Sequence, residues 1–310
     1  MKKIIIAAAA LLMGAAVVYA QDLSMATETY NNGVTTLQEG NNAQALALFK
    51  EALSLGEACG EEGAELVTNC KNVIPGLILS VAKGHINAEE FDEAIACLEE
   101  AAAKAKEYNV EGVAEEALSL VNTANYRKGA ALMKAKDMAG AAETLKKVVA
   151  VEPDNANAQL YLGQALLATG QTDAAIETLK TAAGLGKEAQ ANKILGNIFL
   201  KKGMALLKAG KNAECIEALN EANTYTENAS AYRLIASANS KLGKTASAIE
   251  AYKKYLELDP GAKDASGVKL TIAASAQKAG DKATAKEYYK MLVDDPQYGA
   301  TAKQQLEVLK

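Results

Sequence analysis

One spacing recurs down this chain: a small residue, glycine seven positions later, alanine five beyond that, and a large apolar residue four further on. Gly163, Gly170, Ala175 and Leu179 carry it in full. So do Gly33, Gly40, Ala45 and Phe49 near the start, and Ala273, Gly280, Ala285 and Tyr289 near the end. Seven segments fit, with departures: Glu89 stands where the second would have its glycine, and Lys136 where the third would. A unit of this length cannot bury its own apolar face, so the units must stack into a solenoid. The units are helical. Apolar residues recur three and four positions apart, strand-like alternation is scarce, and the 310 residues include four prolines and no tryptophan.

The segment from Asn157 to Lys187 explains how the slots are filled. Leu160, Leu162, Gly163 and Leu166 fall on a first helix, and Ala175, Leu179 and Ala182 on a second. Gly170 between them suits the left-handed conformation that ends a helix. Gly163 and Ala175 are small because two antiparallel helices cross closely there, and a larger side chain would push them apart. These residues resemble the tetratricopeptide repeat, a motif of about 34 residues with small residues at its eighth and twentieth positions and proline near its end. The segment before matches with Gly129, Leu132, Ala141, Leu145 and Pro153, and the one after with Phe199, Gly203, Leu206, Gly210 and Leu219, Cys215 taking the small slot. Tyr232, Ala236, Gly243, Ala248, Tyr252 and Pro260 carry the sixth, and Ile272 and Pro296 add to the seventh. The second, with Ala82, Ala94 and Leu98, is the most divergent.

The resemblance implies an all-α, right-handed α-solenoid of about seven helix pairs with a C-terminal capping helix. Eighth-position residues at 33, 82, 129, 163, 203, 236 and 273 place the excess spacing early. Residues 61–74 and 108–122 themselves read as helical, so the early helices are expected to be extended, with a kink or restart at Pro75-Gly76. The expected organisation is a leader over residues 1–20, acidic repeats with extended helices over 21–122, regular repeats over 123–297, and the capping helix over 298–310.

Residues 1–20 have Lys2 and Lys3, an apolar run, and the ending Val18-Tyr19-Ala20. That is the pattern of a secretory signal peptide cut before Gln21, so the expected location is periplasmic or secreted, with no membrane insertion after cleavage. No later stretch is long and apolar enough to span a bilayer. The formal net charge of −5 becomes −7 without Lys2 and Lys3, and it is unevenly spread. Residues 21–125 hold 18 Asp/Glu against 5 Lys/Arg, and residues 126–310 hold 20 against 26. Such asymmetry could serve head-to-tail self-association or an anionic partner, or be no more than solvated surface. Nucleic acid is not expected: the basic residues are mostly lysine with acids interleaved.

Four cysteines lie in a chain expected to meet oxidising conditions. Cys59 and Cys70 flank Gly60-Glu61-Glu62-Gly63 and could form a disulfide if the following helix folds back to bring their Cα atoms within about 7 Å. Cys97 and Cys215 read as small buried hydrophobes. His85 is the lone histidine, in the slot where the family usually carries a core aromatic, and reads as structural. Neither a metal site nor a cofactor is expected. Gly243-Lys244-Thr245 has the ending of a phosphate loop, but Ala238 stands where the earlier glycine is needed and no strand precedes it, so it reads as an inter-helix turn. No enzyme is expected.

In the family, first helices line a concave groove that holds a peptide or a partner's helix. Matching positions here nominate Tyr126, Met133, Leu160, Gln164, Leu167, Leu200, Met204, Leu207, Arg233 and Ser237. The apolar middle of this set would suit an amphipathic or extended apolar segment of a protein partner, unless these side chains pack on an adjacent helix instead. The lysine and asparagine by which chaperone-binding members hold a carboxylate are replaced here by Tyr126/Ala130, Leu160/Gln164, Leu200/Met204 and Arg233/Ser237. The expected function is therefore a docking scaffold. The alternatives are a self-assembling structural protein of the cell envelope, and a small-ligand carrier or enzyme, which would need a closed polar pocket.

Overall fold

A computed structural model describes residues 22–310; the expected signal peptide lies outside them. The helices run in sequence as α1 (residues 22–38), α2 (Asn42–Ala58), α3 (Ala64–Asn87), α4 (Phe91–Glu107), α5 (Val113–Lys134), α6 (Met138–Val151) and α7 (Ala156–Ala168). They continue as α8 (Thr172–Ala182), α9 (Glu188–Lys208), α10 (Asn212–Tyr225), α11 (Ala229–Lys241), α12 (Thr245–Leu258), α13 (Ala265–Lys278), α14 (Lys282–Lys290) and α15 (Gly299–Val308). Odd-numbered helices to α13 are first members of a pair, even-numbered ones are second members, and α15 follows as a cap. Among the described residues there is no strand, and no helix is long and apolar enough to cross a membrane.

The chain forms two compact units, one ending at Gln171 and the other spanning Thr172–Lys310. In the first, each helix from α2 to α7 packs on the next, and first helices also meet directly, α3 on α5 and α5 on α7. In the second, the same order runs from α8 to α15, with α9 on α11. This is the packing of an all-α solenoid, with apolar contacts distributed along the stack. The division expected after residue 122 falls inside α5, a single continuous helix.

Every pair turns in the same way. The ladder position is left-handed in all seven turns, at Gly40, Gly170, Gly210, Gly243 and Gly280 with φ between 71° and 84°, and equally at Glu89 (φ 62°) and Lys136 (φ 64°). The next residue's N–H donates to the carbonyl five residues back, at 2.9–3.1 Å in each turn, from Asn41 to Thr36 through to Asp281 to Ala276. That is the bond by which a Schellman motif closes a helix. The donating residue then begins the second helix. Asn41, Asp137 and Asp281 accept backbone N–H bonds from Gln44, Gly140 and Thr284, satisfying donors that a helix start leaves open.

The small slots are buried as the spacing requires. Ala82, Ala236 and Ala273 at the eighth position, and Ala45, Ala94, Ala141, Ala175, Cys215 and Ala285 at the twentieth, are fully covered. A Cβ on Gly203 would lie 2.5 Å from Leu219 Cγ, and one on Gly129 would lie 2.7 Å from Leu145 Cγ. At Gly33 it would lie 3.4 Å from Leu48 and Phe49, an ordinary contact. The same slot is thus tighter in the third and fifth pairs than in the first.

Helix lengths account for the uneven spacing. α3 and α5 have 24 and 22 residues, against 13 in α7 and α11. α9 is also long, at 21 residues, so the excess is not confined to the early repeats. α3 runs unbroken through Pro75, which is buried within it; the expected restart there does not occur. α15 covers the last pair as expected: Ala302 and Leu309 join Ile272, Tyr289 and Leu292 in one apolar cluster, and Gln305 bonds Gln277 at 3.0 Å.

The Cys59–Cys70 disulfide is not made. All four cysteines are free. Cys59 closes α2, where its Sγ lies 3.2 Å from the Leu55 carbonyl, while Cys70 is enclosed among Phe49, Ile74 and Ile78, and burial pushes its thiol up to about 11. Each thiol is therefore held in its own environment. Cys215 is buried as expected, whereas Cys97 is only half-buried.

Two stability measurements follow. Gly203→Ala should destabilise by about 1–3 kcal/mol through overpacking against Leu219, while Gly33→Ala, which has room, should be neutral or stabilise by up to about 1 kcal/mol; urea unfolding reads both. Lys136→Gly should stabilise by about 0.5–1 kcal/mol, because relief of left-handed strain exceeds the added chain entropy of glycine. Equal urea midpoints for that variant and the parent would count against the strain argument.

Candidate functional site

The nominated residues divide between the two units. In the first, Tyr126 and Met133 lie on α5, and Leu160, Gln164 and Leu167 on α7. Leu160 is 5% exposed and belongs to the core. The Tyr126 ring stacks on Tyr161 of α7, centroids 6.2 Å apart at 14°, and burial raises its hydroxyl pKa. Tyr126 therefore joins adjacent first helices and Leu160 lies in the core, so neither forms an open groove. Met133, Gln164 and Leu167 remain half-buried at the surface.

In the second unit, Leu200 and Leu207 of α9 are half-buried, packed against the cluster of Cys215, Leu219, Ile235 and Ala236. Phe199 stacks on Tyr225 of α10 at 5.7 Å, and Gly203 sits against Leu219. These contacts fix the rotation of α9 about its axis. Met204, one residue further round, is left 52% exposed. Arg233 and Ser237 stand on the adjacent first helix, α11.

Arg233 and Ser237 line a cleft of about 340 Å³ with Leu234, Tyr252, Asp264, Gly267, Val268 and Thr271. Its polar centre is a chain of three groups. Tyr255 donates its hydroxyl to Asp264 Oδ1 at 2.5 Å, and Arg233 donates Nε–H to Asp264 Oδ2 at 2.7 Å. The Tyr255 bond and the Arg233 charge hold the Asp264 carboxyl below its usual range, while the bond to Asp264 and burial push Tyr255 up to about 12. The Arg233 side chain lines the cleft and is half exposed to water. The arrangement can orient a polar group of a partner. Asp264 and Tyr255 were not nominated from the sequence. Asp264 sits at the N-cap of α13, where an aspartate normally caps its own helix, but its side chain makes no capping bond and turns to Arg233. Only the spatial neighbourhood shows that diversion.

His85 does not fill a core slot. It is half-buried at the end of α3, its Nδ1 2.6 Å from Glu90 Oε2, while the Glu90 N–H donates to the His85 carbonyl. Gly243-Lys244-Thr245 is an inter-helix turn.

Tetratricopeptide repeat family models match residues 132–198, residues 82–150 and 200–263, and residues 269–297. No curated protein matches the sequence. Among solved structures, a MamA protein overlays 58% of this chain and 94% of its own length at 25% identity and a TM-score of 0.34. MamA from Desulfovibrio magneticus RS-1, residue 41 to its end, covers 60% of this chain and 95% of its own at 18% identity and a TM-score of 0.32. YrrB, described as a TPR protein with an unusual peptide-binding site, covers 58% and 91% at 17% identity and a TM-score of 0.32.

The Asp264 carboxylate, its pKa depressed on folding, stabilises the second unit at pH values above the ordinary carboxyl pKa of about 4. That contribution is lost as pH falls through the lower folded value. Asp264→Asn should therefore lower the melting temperature at neutral pH and converge with the parent in acid; thermal melts at both pH values test this.

Proposed function

The chain belongs to the tetratricopeptide repeat family, and we propose that it is an exported, non-catalytic scaffold that holds a protein or peptide partner against its first helices. Export rests on residues 1–20, whose lysine pair, apolar run and small-residue ending make a signal peptide. The scaffold reading is supported by the family and by a chain whose lone histidine is engaged by Glu90 in a turn.

The observation that carries the site is Met204. A large apolar side chain half open to water, flanked by the partly covered Leu200 and Leu207, offers an adaptable contact for an apolar side chain of a partner. Arg233 and Ser237, on the neighbouring first helix, line a cleft that supplies polar anchoring. A partner segment that places an apolar residue on Met204 and a hydrogen-bonding group in the Arg233 cleft would use both. In the first unit, Met133, Gln164 and Leu167 are first-helix surface positions that could make a contact of that unit's own.

A photoreactive residue at position 204, expressed in the native envelope, should capture a defined polypeptide that the same residue at Glu217 on α10 does not. Met204→Lys in an affinity-tagged chain should reduce co-purification of that polypeptide about tenfold, the loss of a single central contact, with an unchanged melting temperature. Equal capture from positions 204 and 217 would remove the first-helix face from consideration.

A further inference from the structure

In a stack of helix pairs the chain returns to its starting edge before each new pair, so turns within pairs line one edge and connections between pairs line the other. In the Thr172–Lys310 unit the turn edge is a row of lysines. Lys208 and Lys211 flank the α9–α10 turn, Lys241 and Lys244 the α11–α12 turn, and Lys278 and Lys282 the α13–α14 turn. All six are exposed, and of these only Lys211 makes a salt bridge among the described residues, to Glu214 at 3.2 Å. Packed helices lie about 10 Å apart, comparable to the screening length at about 0.1 M salt, so the fields of neighbouring turns add.

Helix dipoles account for only half of this row. Lys208, Lys241 and Lys278 close first helices, where a cation is favourable. Lys211 and Lys244 instead occupy the N-caps of α10 and α12, where a cation opposes the dipole. Neither makes a capping bond, whereas Asn41, Asp137 and Asp281 cap the equivalent helices elsewhere. Two favourable caps have been given up for charge, the kind of local conflict found where a surface is used for something else.

The opposite charge stands on the other unit. Its connections α2–α3 and α4–α5 lie on the edge away from the turns, and they carry Glu57, Glu61, Glu62 and Glu65 at one and Glu107, Glu111, Glu115 and Glu116 at the next, all exposed. Lysines of the same unit pair with Glu57, Glu107 and Glu116. Glu61, Glu62, Glu65, Glu111 and Glu115 make no salt bridge among the described residues.

We propose that the lysine turn edge of the Thr172–Lys310 unit docks on the acidic connection edge of the preceding unit in a second copy of this chain. An anionic lipid or polymer would satisfy the lysines but be repelled by the glutamates, whereas a second copy answers both edges at once. Because the contact joins two different surfaces, each copy keeps one edge for a further copy, and the assembly grows head to tail as a ring or an open chain.

The test is sedimentation of the purified exported chain at about 20 mM and about 500 mM salt, which spans weak to strong screening. Association that grows with protein concentration is expected at low salt and should disappear at high salt. A variant with Lys208→Glu, Lys211→Glu, Lys241→Glu and Lys244→Glu, and another with Glu61→Lys, Glu62→Lys, Glu65→Lys and Glu111→Lys, should each stay monomeric. Mixed in equal amounts they should associate again, since the native acidic edge of one meets the native lysine edge of the other and the two reversed edges are likewise opposite in charge. A monomer at low salt, association that survives high salt, or variants that associate like the parent would overturn the proposal. So would a monomeric parent that binds vesicles containing phosphatidylglycerol, which would assign the lysine edge to a lipid surface.

Discussion

How closely the two helices of a pair can approach governs most of what this chain does. Where Gly129 meets Leu145 and Gly203 meets Leu219, no space remains for even one more carbon. The leucines on the second helices are fully buried as a result. That crossing brings the helix ends together so that a short turn can join them, and it fixes which sides of each helix are left for the next pair. At Gly203 it also determines the rotation of α9, and so the outward position of Met204. A functional side chain is thus positioned by the residue beside it, through backbone proximity and not through any contact of its own.

Because helices within each unit rest on their neighbours, burial is spread in separate clusters, one built on Phe49, Ile78 and Leu98, another on Leu219 and Ile235, and another on Ile272 and Leu292. The surface is correspondingly large, and what distinguishes one part of it from another is charge and a few exposed apolar groups. The polar chain Tyr255–Asp264–Arg233 is the most organised of these features. It ties α11, α12 and the approach to α13 together while leaving part of a guanidinium open to water.

The fold was legible in the sequence because its determinants are periodic and local. A small residue in the eighth slot, a turn seven residues on and an apolar residue in the second helix each have a reason confined to one pair, so one segment explains all. The turn was even conserved in conformation where its residue was not: Glu89 and Lys136 are as left-handed as the glycines. The binding face was less legible because exposure there depends on the next pair. Position alone does not tell that Tyr126 is covered by Tyr161, or that Leu160 is core while Met204 is open. Asp264 was hidden for a similar reason, since its sequence position suits a cap and its partners come from other helices. The length of α9 escaped because its added first turns, from Glu188, are polar, and the apolar period that marks a helix is weak there.

The turns carry a last implication. Around Gly40, Gly170, Gly210, Gly243 and Gly280 nothing lies within 4 Å of where a Cβ would stand. The requirement at these points is one of handedness and not of size: the backbone turns in the sense that suits a mirror-image residue. D-alanine, introduced by chemical synthesis or ligation, would fit each position without steric conflict and would restrict the unfolded chain more than glycine does. A solenoid built of L-residues thus holds, once in every repeat, a site matched to the opposite chirality.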